Sequence, residues 1–276
     1  MPELPEIITI KRAMNNVLKH KIIASVEIKK STVIKNIEMT DFERTVKNEA
    51  IIEVKEKNAC LVWMLTKNKA IVCNPKQHGN FFYYPQSTKP VKNTLIIFKF
   101  KDGSELHFVD PAQIGCFHLR SHQTYTIKSP ILSKGVTAIN KNYEDLYNAV
   151  YKKNKTLKWA LKSGNYIIGI GEIYSDEILF KAGLHPFSLC KSISKEDARQ
   201  IVLKAQEVLA QSEVDMGAEN ISRIEPNVEI GMYKKQLNVY NREGLLCNIC
   251  QTPITCVKQG HEKSFICSKC QVLKRD

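Results

Sequence analysis

The residue best suited to covalent chemistry is Pro2, in the N-terminal sequence Met1-Pro2-Glu3-Leu4-Pro5-Glu6. Removal of Met1 would leave a proline whose free nitrogen is a secondary amine, a nucleophile for carbonyl-like carbons that needs no side chain to position it. An α-amino group titrates near pH ~8, so part of it is neutral at about pH 7, and Glu3 is adjacent as a proton donor or acceptor. The alternative is an extended N-terminal arm that leads into a helix.

Four cysteines near the C-terminus have the spacing of a metal site. They form two CxxC pairs, Cys247 with Cys250 and Cys267 with Cys270. This spacing is typical of a tetrahedral zinc site, and the segment between the pairs predicts a β-hairpin with its turn at residues 259–260. Because four thiolates leave no open position, we expect one structural Zn²⁺ ion. Two disulfides are the alternative, but a lysine-rich chain without a secretory signal is expected to keep its thiols reduced.

The charge of the chain indicates its class of partner. Lysines and arginines number 41 against 28 acidic residues, which gives a formal charge of +13 over 276 residues. Such an excess favours a polyanion, either nucleic acid or an anionic surface. No stretch approaches the ~20 apolar residues of a membrane span. We therefore expect a soluble, cytoplasmic protein of roughly two domains with a small zinc appendage.

The elements that must position these residues follow from the apolar periodicity. Apolar residues at Ile7, Ile10, Met14 and Leu18 predict a helix over 6–20, directly behind the N-terminal arm. Short β-rich runs at 22–28, 50–54, 60–65, 70–73, 94–100 and 105–109 follow, within a stretch that ends at residue 118, and predict an antiparallel sandwich. Helical periodicity then dominates, and we expect helices over 143–153, 157–162, 172–182 and 195–212. A helical domain therefore follows a sheet domain.

Two glycines, Gly169 and Gly171, stand directly before the predicted helix at 172. Glycines at this position let a backbone approach a phosphate, whose charge the helix N-terminus favours. Tight helix–helix packing explains them about equally well.

Together these motifs resemble one known family. PELPE at 2–6, GIGEIYSDEILFKAGLHP at 169–186, VYNREG at 239–244 and the CNIC and CSKC pairs look like the bacterial formamidopyrimidine-DNA glycosylase / endonuclease VIII family, over essentially the whole chain. The resemblance implies an α+β fold: an N-terminal antiparallel β-sandwich with flanking helices over 1–128, a helix-two-turn-helix domain over 135–225 and a zinc finger over 238–276. It also implies that DNA is held in the cleft between the halves.

The resemblance further implies base-excision chemistry on double-stranded DNA with damaged bases or abasic sites. The damaged nucleotide is flipped out of the stack, Pro2 attacks the sugar C1′, a Schiff base forms, and the strand is cleaved by elimination. Glu3 would be the acid/base and Glu6 would support the arm. The residues expected to bind DNA are Lys57, Lys76, Gln77, Lys158, Gly171 and Lys263, with Lys158 contacting a phosphate. Such a protein is expected to be a monomer in the bacterial cytoplasm, associated with the nucleoid when bound to DNA.

The chain departs from the family pattern at three charged or polar positions. Ala59 stands where the family has a lysine that reaches the reaction centre, Glu172 where an asparagine bonds a DNA phosphate, and Glu262 where an arginine clamps a phosphate. Lys57 could swing in for the missing lysine. Lys263 is next to Glu262, but alternation along a strand predicts that it points to the other face.

The loops expected to fill the gap left by a flipped base also differ. Gln77 replaces a methionine, and residues 110–115 read DPAQIG in place of DPRRFG. Three hypotheses remain: an active glycosylase/AP lyase with altered substrate preference, a DNA-binding protein of the same fold without base excision, and a zinc-dependent RNA or protein interaction module.

Overall fold

The computed structural model describes residues 3–76, 78–127, 130, 135–219, 222–225 and 230–275. Pro2 and Gln77, both predicted site residues, lie outside the described residues. The chain divides into two compact units. The sandwich unit consists of Met1–Pro2, Glu6–Leu132 and Glu219–Ile230, and the helical unit consists of Glu3–Pro5, Ser133–Ala218 and Gly231–Asp276.

Two four-stranded antiparallel sheets form the sandwich unit. Their strand orders are β1-β6-β7-β5 and β2-β3-β4-β8. The strands are β1 (Ile23–Ile28), β2 (Ile51–Lys57), β3 (Cys60–Leu65), β4 (Lys69–Asn74), β5 (Asn80–Tyr84), β6 (Thr94–Phe100), β7 (Glu105–Val109) and β8 (Cys116–Ser121). Helices α1 (Leu4–Leu18) and α2 (Met39–Val46) complete the regular structure before the helical unit.

Aromatic side chains join the two sheets in one core. Trp63 of β3 lies with its ring 4.7 Å from that of Phe98 of β6, and the Phe98 ring lies 5.7 Å from that of Phe117 of β8. All three side chains have no exposed surface. Apolar residues of α1, among them Ile10 and Met14, belong to the same core. Burial of this large apolar area is the main term that stabilises the sandwich.

The described residues of the helical unit form four α-helices, three short 3₁₀ helices and a hairpin. The α-helices and the hairpin strands are α3 (Tyr143–Val150), α4 (Leu157–Lys162), α5 (Glu172–Lys181), α6 (Lys195–Val214), β9 (Thr255–Gln259) and β10 (Glu262–Ile266), and the 3₁₀ helices are Ala138–Asn140, Cys190–Ser192 and Met232–Gln236. Side chains cap three of the helices: Asn142 for α3, Thr156 for α4, and Ser194 in a capping box for α6. Helix α5 is buried on every side along Ile173–Phe180, so it forms the centre of this unit.

Buried Glu177 of α5 explains part of the VYNREG motif. Its carboxylate accepts hydrogen bonds from the backbone N–H groups of Asn238, Val239 and Tyr240 at 2.9–3.0 Å. These contacts hold the segment that leads to the cysteine pairs against α5.

The fold class expected from the sequence is confirmed: an antiparallel sandwich, a helical part and a hairpin between two cysteine pairs. Three elements were not among those predicted, namely β5, β8 and α2. Strand β5 reads Asn-Phe-Phe-Tyr-Tyr, which has no polar alternation, and α2 has only eight residues, so neither produces a strong periodic signal. Among the described helices, none is both long and apolar enough to cross a membrane.

Candidate functional site

Glu3 is fixed at the N-terminus of helix α5, within the helical unit. Its carboxylate accepts hydrogen bonds from the backbone N–H of Gly171 at 2.6 Å, of Ile173 at 2.8 Å and of Tyr174 at 3.1 Å. Gly171, the residue that precedes the helix, cannot supply a side-chain cap, so a residue from the start of the chain does so. The helix N-terminus also favours the negative charge of a carboxylate. Glu3 is 4% exposed and therefore held in one orientation.

The two glycines before α5 make room for the N-terminal arm. Gly169 has a φ of +82°, and a Cβ atom there would lie 2.3 Å from Cβ of Leu4. A Cβ atom on Gly171 would lie 2.8 Å from Cδ of Glu3. The N–H of Leu4 also donates to the carbonyl of Gly169 at 2.8 Å. Of the two interpretations of these glycines, close packing is the one the structure supports, and the N–H of Gly171 is already engaged by Glu3.

The sandwich unit contains the other predicted acid, Glu6, in the first turn of α1, where it is 2% exposed. A carboxylate in the first turn of a helix is stabilised by the macrodipole. Glu6 is thus placed as a buried structural acid of α1.

The β2–β3 turn contains Ala59 at the position where the resemblance implies a lysine. Asn58 and Ala59 both have positive φ, at 52° and 57°, as a two-residue hairpin of this type requires. The N–H of Ala59 donates to Oε1 of Glu56 at 2.8 Å, and the methyl group is buried. Lys57, the last residue of β2, is exposed.

Lys76 follows β4 in the loop that leads to β5. Its backbone has a φ of 57°, and its N–H donates to Oδ1 of Asn74 at 3.1 Å. Burial, and then the positive charges of Arg120, Lys35 and Lys76, lower the pKa of His118 to about 4. Lys76 and two other cations therefore lie around the buried imidazole on β8.

Lys158 has no exposed surface and is surrounded by acceptors of the helical unit. Its Nζ lies 2.9 Å from Oδ1 of Asp176, 2.6 Å from the carbonyl of Lys263 and 3.1 Å from Oε2 of Glu172. A lysine ammonium has three N–H donors, so all of them are used within the chain. Lys158 can contact a phosphate only if one of these three acceptors leaves.

Asp176 connects Lys158 with the hairpin. It also accepts hydrogen bonds from the hydroxyl of Ser264 at 2.8 Å and from the N–H of Phe265 at 2.9 Å. Burial raises the pKa of Asp176 to about 6, although Lys158 and these two donors oppose the rise. Asp176 thus links helix α4, helix α5 and the hairpin.

Glu172 and Glu262, the two acidic departures from the family pattern, converge on Lys162. Nζ of Lys162 forms an ion pair with Oε1 of Glu172 and lies 3.1 Å from Oε1 of Glu262. Lys263 points to the other side of the hairpin, with its ammonium 5.6 Å from the centre of the Phe265 ring. The expected alternation of Glu262 and Lys263 along β10 is thus confirmed, and the two glutamates neutralise a lysine of the same chain.

The four paired cysteines converge as their spacing predicts. The sulfur atoms of Cys247, Cys250, Cys267 and Cys270 all lie within 4.8 Å of one another. The Sγ atoms of Cys247 and Cys270 are 3.9 Å apart, and those of Cys250 and Cys267 are 3.3 Å apart. A tetrahedral ion with bonds of about 2.3 Å to sulfur separates its ligands by about 3.8 Å. The donor set and its size therefore fit one four-coordinate metal ion.

Sequence reasoning missed three functional candidates: Lys162, Asp176 and His118. Lys162 lies four residues after Lys158, which places both on one face of α4 and is a readable signal. Asp176 lies four residues after Glu172 on α5, so by the same rule these two residues share one helix face. For His118 the signal was weak, because only Arg120 is near it in sequence, whereas Lys35 and Lys76 come from separate segments of the sandwich unit.

Comparison with protein families gives two matches along the chain. Residues 1–117 match the formamidopyrimidine-DNA glycosylase N-terminal domain, and residues 134–224 match the formamidopyrimidine-DNA glycosylase H2TH domain. The formamidopyrimidine-DNA glycosylase of Shouchella clausii is 31% identical over 98% of this chain and 99% of its own length. The corresponding enzyme of Mycoplasmopsis pulmonis is 29% identical, with 99% of both chains covered.

Solved structures share the same fold. Lactococcus lactis Fpg, in a complex with abasic-site-containing DNA, has a TM-score of 0.87 and 19% identity over 98% of this chain and 99% of its own. The MutM (Fpg) protein of Thermus thermophilus has a TM-score of 0.85 and 24% identity, with 98% of both chains covered.

Proposed function

Since this chain belongs to the formamidopyrimidine-DNA glycosylase family, we propose that it is a base-excision-repair DNA glycosylase and AP lyase. Its substrate is double-stranded DNA that contains a damaged base or an abasic site. Two relatives that the chain matches over nearly their whole length are named formamidopyrimidine-DNA glycosylases. A solved structure of the same fold is a complex with DNA that contains an abasic site. The net charge of +13 suits such a polyanion.

The reaction begins at Pro2 once Met1 has been removed. Its nitrogen forms a bond to C1′ while the bond from C1′ to the base breaks; at an abasic sugar it attacks the C1′ aldehyde instead, and the aldehyde oxygen leaves as water. Opening of the sugar ring in the first case, or loss of this water in the second, gives a Schiff base between Pro2 and C1′. Loss of a C2′ proton then expels the 3′ phosphate, which cleaves the strand. Glu3 is the acid/base that moves a proton at the sugar, and Glu6 supports the arm.

The observation that carries this proposal is the position of Glu3. Three N–H donors of the α5 N-terminus fix the carboxylate one residue after the nucleophile. A fixed general acid or base needs no reorganisation when the substrate arrives, which lowers the barrier of a proton transfer. This geometry supports a role for Glu3 in the reaction, beyond that of an extended N-terminal arm.

The remaining site residues are proposed from the family resemblance. Lys57, Lys76, Gln77 and Lys263 contact DNA. The four cysteines hold one structural Zn²⁺ ion, because thiolates in a closed tetrahedral set are the ligands of structural zinc. The ion stabilises the hairpin and takes no part in the reaction. The protein acts as a monomer on chromosomal DNA in the cytoplasm.

The test is covalent trapping. Purified protein, whose intact mass shows Met1 removed, is mixed with duplex DNA containing one abasic site and reduced with borohydride. With borohydride we expect a stable protein–DNA adduct at the Pro2 nitrogen, identified by peptide mass. Without borohydride we expect cleavage of the DNA strand. Pro2→Gly should trap far less while it keeps the metal content and melting temperature of the wild type. Equal trapping by the variant, or no adduct with the wild type, would contradict the proposal.

A further inference from the structure

Lys162 stands at the centre of an ion network at the end of α4. Its ammonium contacts Glu172, the first residue of α5, and Glu262 of β10. Glu172 also reaches Lys158, and Lys158 is paired with Asp176. Two lysines thus face three carboxylates, which leaves one net negative charge.

Only part of this network is accessible to a ligand. The side chains of Lys158 and Asp176 have no exposed surface, whereas those of Lys162, Glu172 and Glu262 are 22%, 43% and 31% exposed. The N–H groups of the α5 N-terminus do not offer an alternative anion site, because the Glu3 carboxylate accepts three of them. Lys162 is therefore the donor of this region that an external anion can reach.

Glu172 is the acceptor that can leave Lys162 and still keep a cationic partner, because its other carboxylate oxygen lies 3.1 Å from Nζ of Lys158. It is the more exposed of the two glutamates, and after leaving it would still lie in the first turn of α5, where a carboxylate is favoured. Burial alone would raise the pKa of Glu172, but the hydrogen bonds and charges of Lys162 and Lys158 outweigh this and lower it. Glu172 therefore stays ionised near neutral pH, and its contact is broken by competition and not by protonation.

We propose that Lys162 is a phosphodiester contact of this protein, and that Glu172 occupies its ammonium until a DNA phosphate displaces it. The inference rests on the proposed function, since it requires DNA as the ligand. Glu262 remains on Lys162 in the bound state and holds the ammonium in place. Glu172 thus acts as an internal competitor that weakens DNA binding in the resting protein.

The experiment measures binding of duplex DNA that contains one tetrahydrofuran abasic analogue, by fluorescence anisotropy over a series of NaCl concentrations. The variants are Glu172→Gln, Lys162→Met and the double variant. Lys162→Met keeps the apolar stem and removes only the ammonium. Glu207→Gln and Lys181→Met are the matched controls, because Lys181 and Glu207 form a similarly exposed pair at 2.7 Å in the same unit.

We expect Glu172→Gln to tighten DNA binding several-fold and Lys162→Met to weaken it. Lys162→Met should also lose about one phosphate contact, which reduces the slope of log K against log salt concentration by about 0.9. The gain from Glu172→Gln should vanish in the double variant, and the controls should change affinity less than twofold. A gain that persists without Lys162, or effects no larger than those of the controls, would overturn the inference. Trapping of abasic DNA by the wild type is measured in parallel, so that failure of the proposed function is seen separately.

Discussion

Oε2 of Glu3 accepts a 2.6 Å hydrogen bond from the N–H of Gly171, a residue 168 positions further along the chain. The same glycine leaves the space that the carboxylate fills, since a Cβ atom there would lie 2.8 Å from Cδ and Oε1 of Glu3. Gly171, which has no side chain, thus positions the acid that follows the proposed nucleophile.

Gly171→Ala should displace the Glu3 carboxylate. The added methyl group would push it from at least one of its N–H donors, and a lost charged hydrogen bond costs about 1.5–3 kcal/mol of unfolding free energy. We expect the rate of borohydride trapping on abasic DNA to fall at least tenfold. Gly164→Ala is the control, because it strains a turn with a φ of +66° but meets no atom within 4 Å. Equal trapping rates in the two variants would show that Glu3 is not positioned by Gly171.

Ala59→Lys should increase base excision. The substitution restores an ammonium group in the turn where the family resemblance places one, and a cation there is expected to stabilise developing negative charge. The matched control is Ala59→Gly, which relieves the positive φ of 57° without adding charge and should stabilise the fold by up to about 1 kcal/mol. Rates of base release from a duplex with a formamidopyrimidine lesion compare the variants. A similar increase for both variants would assign the effect to backbone strain.

Loss of one metal ligand should unfold the C-terminal hairpin. The cysteines share a small core with Phe180, Val239, Ile254 and Phe265, which is too small to fold without the metal. Cys267→Ser is expected to lose the bound zinc, measured by native mass spectrometry, and to weaken DNA binding. Cys256→Ser removes a thiol of the same hairpin that is not among the four ligands. Cys256→Ser should still bind one zinc ion per chain. Loss of zinc from both variants would contradict the assignment of the ligands.

His118 should make the sandwich unit sensitive to acid. Its pKa is lowered from 6.5 to about 4, chiefly by burial and further by Arg120, Lys35 and Lys76. The unfolded chain therefore binds the proton more readily, and the unfolding free energy falls as the pH drops from about 6.5 to about 4, by at most about 3 kcal/mol. Above pH 6.5 this group causes no pH dependence.

Urea denaturation at pH 7, 6, 5 and 4 measures this effect. His118→Gln cannot titrate, so its loss of stability between pH 6.5 and 4 should be smaller than that of the wild type. Exposed His261→Gln is the control and should follow the wild type. Parallel pH curves for wild type and His118→Gln would show that other groups cause the acid sensitivity.

Much of the architecture was readable from local patterns. The apolar positions of α1 and the helices α4, α5 and α6 repeat at helical spacing, and their bounds in the structure differ from the predicted ones by two residues at most. The cysteine pairs carried their geometry in their spacing, because two CxxC turns can place four thiolates around one ion. In each case the signal lies within a few residues of sequence.

The partners of charged side chains were not readable in this way. Glu172 and Glu262 looked like repulsive replacements in a phosphate site, whereas in the structure both neutralise Lys162. Lys158 looked like a surface contact, yet buried Asp176 and a carbonyl of β10 surround it. The contacts with β10 join residues 100 and 105 positions apart, and those with α5 join two different helices, so no periodicity within one element reports on them.

The sequence by itself therefore determined the element types, the cluster of four cysteines and the family, because these depend on short-range spacing and on motifs in a fixed order. Only the tertiary structure decided that Glu3 caps α5 and that Glu172 pairs with Lys162. Hydrogen bonds and ion pairs act over about 3 Å, and which groups come within that distance is set by how helices and strands pack. The chemistry of each residue is local, but its partner is a property of the fold.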